Sequence, residues 1–335
     1  MNIKEIKELL SAPRQIVITT HKNPDGDAIG SSLALYHYLV ALGHDAVVVT
    51  PNEYPDFLKW IPGEDLVLKY NTDHKNAIAA IDKAELIFTL DFNHLSRSGD
   101  MEDKLNKANA TFIMIDHHQQ PDDYAKYTYS DVGMSSTCQM VYHFIEQLNH
   151  LQKVTPQIAT CIYVGIMTDT GSFRFRSTTS KTHQVLAHLI DLGADNTKIH
   201  ENVYDTNTLS RLQLKGVALN NLKVLPEYHT AYITMSQKEL DHYKFKKGDT
   251  EGFVNIGLSI QGIKFAAIFI ENKKEKIIKI SLRSKGDFSV NEFSRNHFEG
   301  GGHHNAAGGR SNLSLPDTVD KFISILPSYK KLLNQ

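Results

Sequence analysis

Cysteine and tryptophan are scarce in this chain of 335 residues, which contains two cysteines and one tryptophan. Cys138 and Cys161 lack the closely paired spacing of a thiolate zinc module, and two thiols cannot form a disulfide scaffold. We therefore expect a protein of a reducing compartment, the cytosol.

Long hydrophobic runs are also missing. The longest apolar stretches, such as residues 265–270, fall far short of the roughly 20 residues that cross a bilayer. The N-terminal MNIKEIKELL carries acidic residues where a secretory signal would be apolar. The sequence thus predicts neither a membrane protein nor a secreted one.

Neither sign of charge dominates, since 36 basic and 38 acidic residues leave a net charge of −2. This balance excludes a polycation that coats long duplex nucleic acid. The charge is nevertheless uneven: residues 1–170 have 13 basic and 22 acidic side chains, and residues 171–335 have 23 and 16. The asymmetry is compatible with two solvated domains, or with a first half that binds cations and a second half that binds an anionic substrate.

Short β-rich segments alternate with helical patterns in the first half. This alternation predicts an α/β fold with a parallel sheet, whose ligands bind at the carboxyl ends of the strands. We predict strands at residues 15–20, 46–50, 86–90 and 112–115, helices at 28–42, 139–148 and 180–192, and a helical or mixed segment at 158–167.

A second, smaller α/β domain is expected after Pro226. We divide the chain into a domain at residues 1–190, a helical linker at 191–225 and a second domain at 226–335. In the second domain we predict strands at residues 231–235, 263–270 and 276–282, and helices at 289–298 and 316–333.

The first candidate site follows the first strand. His21, Asp25 and Asp27 lie within seven residues, on a loop that contains Pro24 and Gly26. Imidazole and carboxylate ligands without a thiolate suit Mn²⁺ or Mg²⁺, and less specifically Zn²⁺ or Fe²⁺. The alternative is a Pro-Asp-Gly turn whose aspartates cap the following helix.

A second group of candidate ligands follows later strands. Asp91 ends the third strand, and Asp116-His117-His118 ends the fourth. Asp169 follows the mixed segment. Each residue alone is compatible with a cap or turn, but their joint occurrence in this order at strand ends favours a metal site.

These motifs resemble the DHH family of phosphoesterases. Residues 21–31 resemble its first motif, Asp91 the second, residues 116–118 the third and residues 169–178 the fourth. Residues 300–308 resemble the glycine-rich signature of the associated C-terminal domain, and residues 281–284 resemble the strand that faces it. The resemblance covers nearly the whole chain and is strongest to the bacterial nanoRNases and pAp phosphatases.

The resemblance implies a centre of two metal ions, usually Mn²⁺, with Mg²⁺ or another divalent ion possible. His21 and Asp25 would hold one ion, and Asp91 would bridge both. Asp27, His117 and Asp169 would hold the other ion. His118 would bind the scissile phosphate or protonate the leaving oxygen. Asp116, just outside the set of metal ligands, would orient those ligands.

The resemblance also implies that the second domain, across a cleft, binds the substrate. The residues expected to do so are Arg283, Ser284, Gly301, Gly302, His303 and His304. Three consecutive glycines let an anion approach backbone amides, and a helix beginning at Ala306 would add its own. His304 departs from the family pattern, because lysine is common at its position.

The implied activity is hydrolysis of short oligoribonucleotides (nanoRNA) and of 3′-phosphoadenosine 5′-phosphate (pAp). Cleavage of cyclic di-AMP or linear pApA is an alternative, and a nucleotide-binding regulator without catalysis is a second one, disfavoured by the intact ligand set. The family II pyrophosphatases share the metal motifs but not the glycine-rich domain. Expected partners are short RNA and adenine nucleotides, with no long duplex, no membrane and a possible homodimer.

Overall fold

The computed structural model describes residues 1–334 and divides the chain into two compact units, Met1–Thr206 and the residues from Asn207 onward. Within the described residues, none of the helices is both long and apolar enough to cross a membrane. Both cysteines are free and buried.

The first unit contains six strands and eight α-helices in its described residues. The strands are β1 (Gln15–Thr19), β2 (Asp45–Thr50), β3 (Leu68–Lys69), β4 (Leu86–Leu90), β5 (Thr111–Asp116) and β6 (Tyr127–Ser130). The helices are α1 (Ile3–Leu9), α2 (Gly26–Ala41), α3 (His74–Lys83), α4 (Glu102–Asn106), α5 (Thr137–Gln147), α6 (Pro156–Asp169), α7 (Ser180–Asp191) and α8 (Asn196–Tyr204).

These strands form one parallel sheet in the order β3-β2-β1-β4-β5-β6. Apolar residues cover both faces, as expected of a parallel sheet between helices. Ile16 and Ile18 belong to a core that includes α2, α5 and α6, whereas Val17 belongs to a second core that includes α3. The predicted parallel α/β fold is confirmed.

The second unit contains another six-stranded sheet, in the order β11-β12-β10-β9-β8-β7. Its strands are β7 (Lys223–Leu225), β8 (Thr230–Met235), β9 (Phe265–Asn272), β10 (Ile277–Ser284), β11 (Gly301–His303) and β12 (Ala306–Ser311). Its helices are α9 (Leu209–Asn220), α10 (Gln237–His242), α11 (Val254–Leu258), α12 (Val290–His297), α13 (Leu315–Ile325) and α14 (Lys330–Leu333). Among the described strands of this sheet, only the β8–β9 pair is parallel.

Two predictions about the second unit are wrong. Residues 316–333 do not form one helix, because α13 ends at Ile325 and a 3-10 turn at Leu326–Tyr329 precedes α14. Pro327 lies in that turn, and proline disrupts a continuous helix. No helix begins at Ala306 either, since Ala306 starts strand β12.

The segment predicted as a linker contains α8, α9 and β7. The division between the units falls between Thr206 and Asn207, so α8 belongs to the first unit and α9 to the second. Leu214 and Ala218 of α9 lie in a core with Ile233 of β8. A linker function for residues 191–225 stays a prediction.

Candidate active site

The candidate ligands of the first unit gather where the strand order reverses. From β1 the chain proceeds to β2 and β3 on one side, and β4, β5 and β6 continue on the other side. Open α/β sheets bind ligands at such a switch point, outside the carboxyl ends of the strands. His21 follows β1, Asp91 follows β4, and residues 116–118 are at the end of β5.

The N-cap and first turn of α2 supply two carboxylates with different surroundings. Asp25 is the N-cap of α2, and its Oδ1 accepts the amide N–H groups of Asp27 and Ala28 at 3.0 and 3.1 Å. The capping role weighed in the sequence is therefore present. A carboxylate has more acceptor sites than this cap uses, so Asp25 remains a candidate ligand.

Asp27 lies deeper, with only 1% of its surface exposed. Its Oδ2 accepts the amide N–H of Thr137 at 2.6 Å, and its Oδ1 accepts the amide N–H of Cys138 at 2.8 Å. These amides belong to the first turn of α5, where backbone N–H groups have no partner within the helix. The start of α5 thus fixes both oxygens of Asp27.

Asp91 is at the centre of the cluster. Its backbone has φ 66°, an unusual left-handed conformation for a residue other than glycine. Its Oδ2 lies 3.4 Å from His21 Nε2, and its Oδ1 lies 3.5 Å from His117 Nε2 and 3.7 Å from His118 Nδ1. This one carboxylate therefore approaches all three histidines.

His117 connects Asp91 to the remaining carboxylates. Its Nε2 lies 3.8 Å from Asp27 Oδ2 and 3.5 Å from Asp169 Oδ2. Its Nδ1 lies 3.3 Å from the Met134 carbonyl oxygen. A proton on Nδ1 would satisfy that carbonyl and leave the Nε2 lone pair directed at the carboxylates, the usual arrangement of a metal-binding histidine.

His118 has a different partner. Its Nδ1 lies 2.7 Å from Asp116 Oδ1, and its backbone N–H donates to Asp116 Oδ2 at 3.1 Å. Asp116 is fully buried. Burial lowers the pKa of His118, and the charge of Arg97 adds to this effect, although the hydrogen bond with Asp116 opposes it. Asp116 thus orients the imidazole of His118.

The electrostatics of the cluster follow from crowding buried carboxylates. Burial and the charges of Asp91 and Asp169 raise the pKa of Asp27 well above its usual range. Burial would also raise the pKa of Asp91, but hydrogen bonds from His117 and His21 lower it well below its usual range. Burial opposes a charge on His117, yet its hydrogen bond to Asp91 and the nearby carboxylates raise its pKa well above normal.

These residues are compatible with a bound cation. Ligand atoms lie within 4.8 Å of one another in each of three groups: His21, Asp25 and Asp91; Asp27, His117 and Asp169; and Asp91, Asp116 and His118. Oxygen and imidazole donors suit a divalent first-row metal or Mg²⁺. A bound cation would offset the charge of the buried carboxylates, because ligands bind metals in their deprotonated forms.

Two further residues near the cluster escape prediction from the sequence. Thr137 contributes a hydroxyl to Asp91 Oδ1 at 3.0 Å, although its neighbourhood indicates only helix capping. Arg97 is half-buried, and its carbonyl accepts the amide N–H of Lys22 at 2.7 Å, next to His21. No motif identifies Arg97, because only the tertiary fold brings it beside the histidines.

The glycine-rich segment of the second unit is not an open loop, because Gly300 directly precedes strand β11 and Gly301 and Gly302 belong to it. A side chain on Gly300 would overlap the Gly308 carbonyl oxygen, and one on Gly302, which has φ 146°, would lie 2.5 Å from the Ala306 carbonyl oxygen. A Cβ on Gly301 would have no protein atom nearer than 3.5 Å. Close backbone packing therefore explains two of the three glycines.

The other predicted substrate residues lie at one end of this sheet. Arg283 and His303 both pair with Ala306, so they share a row and a face of the sheet. Ser284 donates its hydroxyl to the Phe288 carbonyl at 2.6 Å, and the His304 carbonyl accepts the amide N–H of Val290 at 2.8 Å. Substrate binding by these residues stays a prediction.

A parallel α/β unit with a buried Asp/His cluster, joined to a mixed-sheet unit, defines the class of the chain as a two-unit α/β protein with a candidate metal centre. Residues 15–166 match the family model described as "DHH family, N-terminal domain", and residues 227–331 match the DHHA1 domain. The chain belongs to the DHH family, and the resemblance drawn from the motifs is confirmed.

Individual proteins extend this match over the whole chain. A crystal structure of an exopolyphosphatase-related protein from Bacteroides fragilis is 39% identical, with a TM-score of 0.95 over 99% of this chain and 97% of that chain. The bifunctional oligoribonuclease and PAP phosphatase NrnA of Thermus thermophilus is 29% identical over 91% of this chain and 86% of its own. The cyclic-di-AMP phosphodiesterase GdpP of Bacillus subtilis is 25% identical over 97% of this chain and 49% of its own.

Proposed function

We propose that this chain is a metal-dependent hydrolase that degrades short oligoribonucleotides to mononucleotides and converts pAp to AMP. The observation that carries the proposal is the gathering of all six predicted ligands in one cluster at the switch point of the parallel sheet. Similarity to an oligoribonuclease and PAP phosphatase over most of both chains supports this substrate class.

The proposed cofactor is a pair of divalent ions, with Mn²⁺ as the first candidate. Asp91 is suited to bridge them, because its two oxygens face different histidines, His21 and His117. His21 and Asp25 would hold one ion, and Asp27, His117 and Asp169 would hold the other. Such ions would polarise the phosphoryl group and stabilise the charge that develops on it.

His118 would handle the proton of the leaving oxygen. Its Nδ1 is held by Asp116, which leaves Nε2 as the atom for proton transfer. A carboxylate behind an imidazole fixes its tautomer and stabilises its protonated form, as in other enzymes that use a histidine acid. Arg97 would add a positive charge beside this histidine and attract the phosphate oxygens.

The second unit would recognise the rest of the substrate. Arg283 and His303 present cationic or hydrogen-bonding groups from one face of the sheet, and both are partly exposed. Arginine can bind a phosphate bidentately. Gly301 has room beside its backbone, so a nucleotide could approach it closely.

Cyclic di-AMP or linear pApA is the second candidate substrate. Similarity to GdpP over nearly the whole chain favours it. The chain spans about half of that relative, so the comparison extends to only part of that protein. We also propose a cytosolic location and retain the homodimer as a prediction, which light scattering of the purified chain would test.

A turnover panel tests the proposal. The purified chain would be assayed with pAp, pApA, cyclic di-AMP, a pentanucleotide RNA and pyrophosphate, before and after chelation and with Mn²⁺ added back. We expect hydrolysis of pAp and the RNA, loss of activity on chelation and recovery with Mn²⁺. Full activity without metal would reject the metal centre, and turnover of cyclic di-AMP or pApA alone would select the alternative.

A further inference from the structure

Thr137 touches both central carboxylates of the cluster. Its amide N–H donates to Asp27 Oδ2 at 2.6 Å, and its hydroxyl donates to Asp91 Oδ1 at 3.0 Å. The residue is fully buried. One residue of α5 therefore joins the carboxylate that follows β1 to the carboxylate that follows β4.

The start of α5 places Thr137 firmly. Ser136 is the N-cap, and its hydroxyl accepts the amide N–H of Gln139 at 3.0 Å. This cap satisfies one amide of the first turn, which leaves the amides of Thr137 and Cys138 for Asp27. The hydroxyl of Thr137 consequently has a fixed position from which to reach Asp91.

Asp91 is a residue that needs such an anchor. Its left-handed backbone, with φ 66°, is unfavourable for aspartate and persists only where the surroundings hold it. Its contacts to the three histidines are 3.4–3.7 Å long, longer than its 3.0 Å hydrogen bond from the Thr137 hydroxyl. Two of these histidines, His21 and His117, are also the proposed metal ligands, so the Thr137 hydroxyl is a donor that metal binding leaves in place.

We propose that Thr137 is a positioning residue that holds the Asp91 carboxylate in the orientation that binds metal. The inference rests on the metal centre proposed above. Loss of a hydrogen-bonding partner behind a metal ligand typically weakens metal affinity about 10- to 100-fold. The Thr137 hydroxyl is such a partner, whereas its amide persists in any substitution other than proline.

The test is calorimetric titration of the full chain, stripped by a chelator, with Mn²⁺. Thr137→Val removes the hydroxyl and keeps the shape of the side chain, and Thr137→Ser keeps the hydroxyl. We expect Thr137→Val to bind Mn²⁺ about 10- to 100-fold more weakly than the wild type and Thr137→Ser to stay close to it. If Thr137→Val does not fold, as judged by circular dichroism, Thr137→Ala replaces it.

Thr182→Val is the matched control. Thr182 is also fully buried, but its hydroxyl donates to Gln139 Oε1 at 3.0 Å and not to a carboxylate of the cluster. This variant should lose stability without losing Mn²⁺ affinity. Equal Mn²⁺ affinity of Thr137→Val and wild type would overturn the role of Thr137, and a wild-type chain that binds no Mn²⁺ would overturn the proposed metal centre itself.

Discussion

The first unit is built on a parallel sheet and the second on a mostly antiparallel one. The candidate site residues of the first unit are more deeply buried than those of the second. In the first, Asp27, Asp91 and His117 are 1%, 2% and 5% exposed. In the second, Arg283 and His303 are only partly buried. Buried carboxylates attract a cation strongly because water does not screen them, whereas a partly exposed arginine can exchange water for a phosphate. The comparison suggests chemistry in one unit and recognition in the other.

Substitution of Asp91 should have the largest effect. Asp91→Ala removes the proposed bridge between the ions, so activity should fall by more than the roughly 10²- to 10⁴-fold that loss of a general acid costs. His118→Ala should fall within that range. Metal analysis should show loss of metal from Asp91→Ala only, and equal metal content in both variants would contradict the assignment of roles.

Substitution of Arg283 tests recognition by the second unit. A hydrogen bond to a charged group contributes about 1.5–3 kcal/mol, so Arg283→Ala should lower kcat/KM for pAp and short RNA about 10- to 150-fold. The slow hydrolysis of bis-p-nitrophenyl phosphate should change little, because this substrate has no distal phosphate.

Arg97 provides the contrast for that measurement. It lies beside the histidines of the first unit, so Arg97→Ala should impair natural and artificial substrates alike. If Arg283→Ala showed the same parallel loss, the division of roles between the units would have to be abandoned.

Two glycine substitutions separate packing from binding in the second unit. Gly300→Ala forces a methyl group into the Gly308 carbonyl and should destabilise the protein by about 1–3 kcal/mol, the usual cost of overpacking. Gly301→Ala meets no such obstacle. Denaturant unfolding should therefore distinguish them, and Gly301→Ala should instead weaken binding of pAp. Equal stability of the two variants would refute this account of the segment.

Substitution of His44 should have the smallest effect, a change in how the free energy of unfolding depends on pH. It is 5% exposed, and neither ring nitrogen has a hydrogen-bond partner among residues 1–334. Burial and the charge of Arg14 lower the pKa of His44. His44 therefore binds a proton more readily in the unfolded chain than in the folded one. The stability that neutral His44 contributes is complete above about pH 6.5, and it falls as the pH drops toward the lowered pKa.

The measurement is the free energy of unfolding at pH 7.5 and pH 5.5. His44→Leu should lose less stability on acidification than the wild type does. The matching change at the exposed His242 of the second unit is the control for the removal of a histidine. A wild-type pH dependence in His44→Leu would show that the acid sensitivity lies elsewhere.

Local sequence patterns predicted four of the six described strands of the first sheet, all but β3 and β6, and three of the six described strands of the second. Apolar runs such as residues 86–90 end at an aspartate, and β4 has those same bounds. The strands at the glycine-rich segment are not evident from the sequence, because three consecutive glycines indicate a loop when the pairing strand is not known. Contacts with residues 306–308 explain Gly300 and Gly302, and pairing between strands rather than local preference decides that β11 and β12 form.

The motifs predicted the family, whereas strand periodicity and strand-end polar residues predicted the parallel sheet and the candidate ligands, because all of these signals are local in the sequence. The tertiary structure alone decided how these ligands meet. At the start of α5, the amide N–H of Thr137 donates to Asp27, which lies 110 residues earlier in the chain. The hydroxyl of the same residue donates to Asp91. The charge of Arg97 likewise acts on His21 and His118, from a distant position in the sequence. Such contacts depend on the packing of helices against the sheet, which no spacing of residues along the chain reveals.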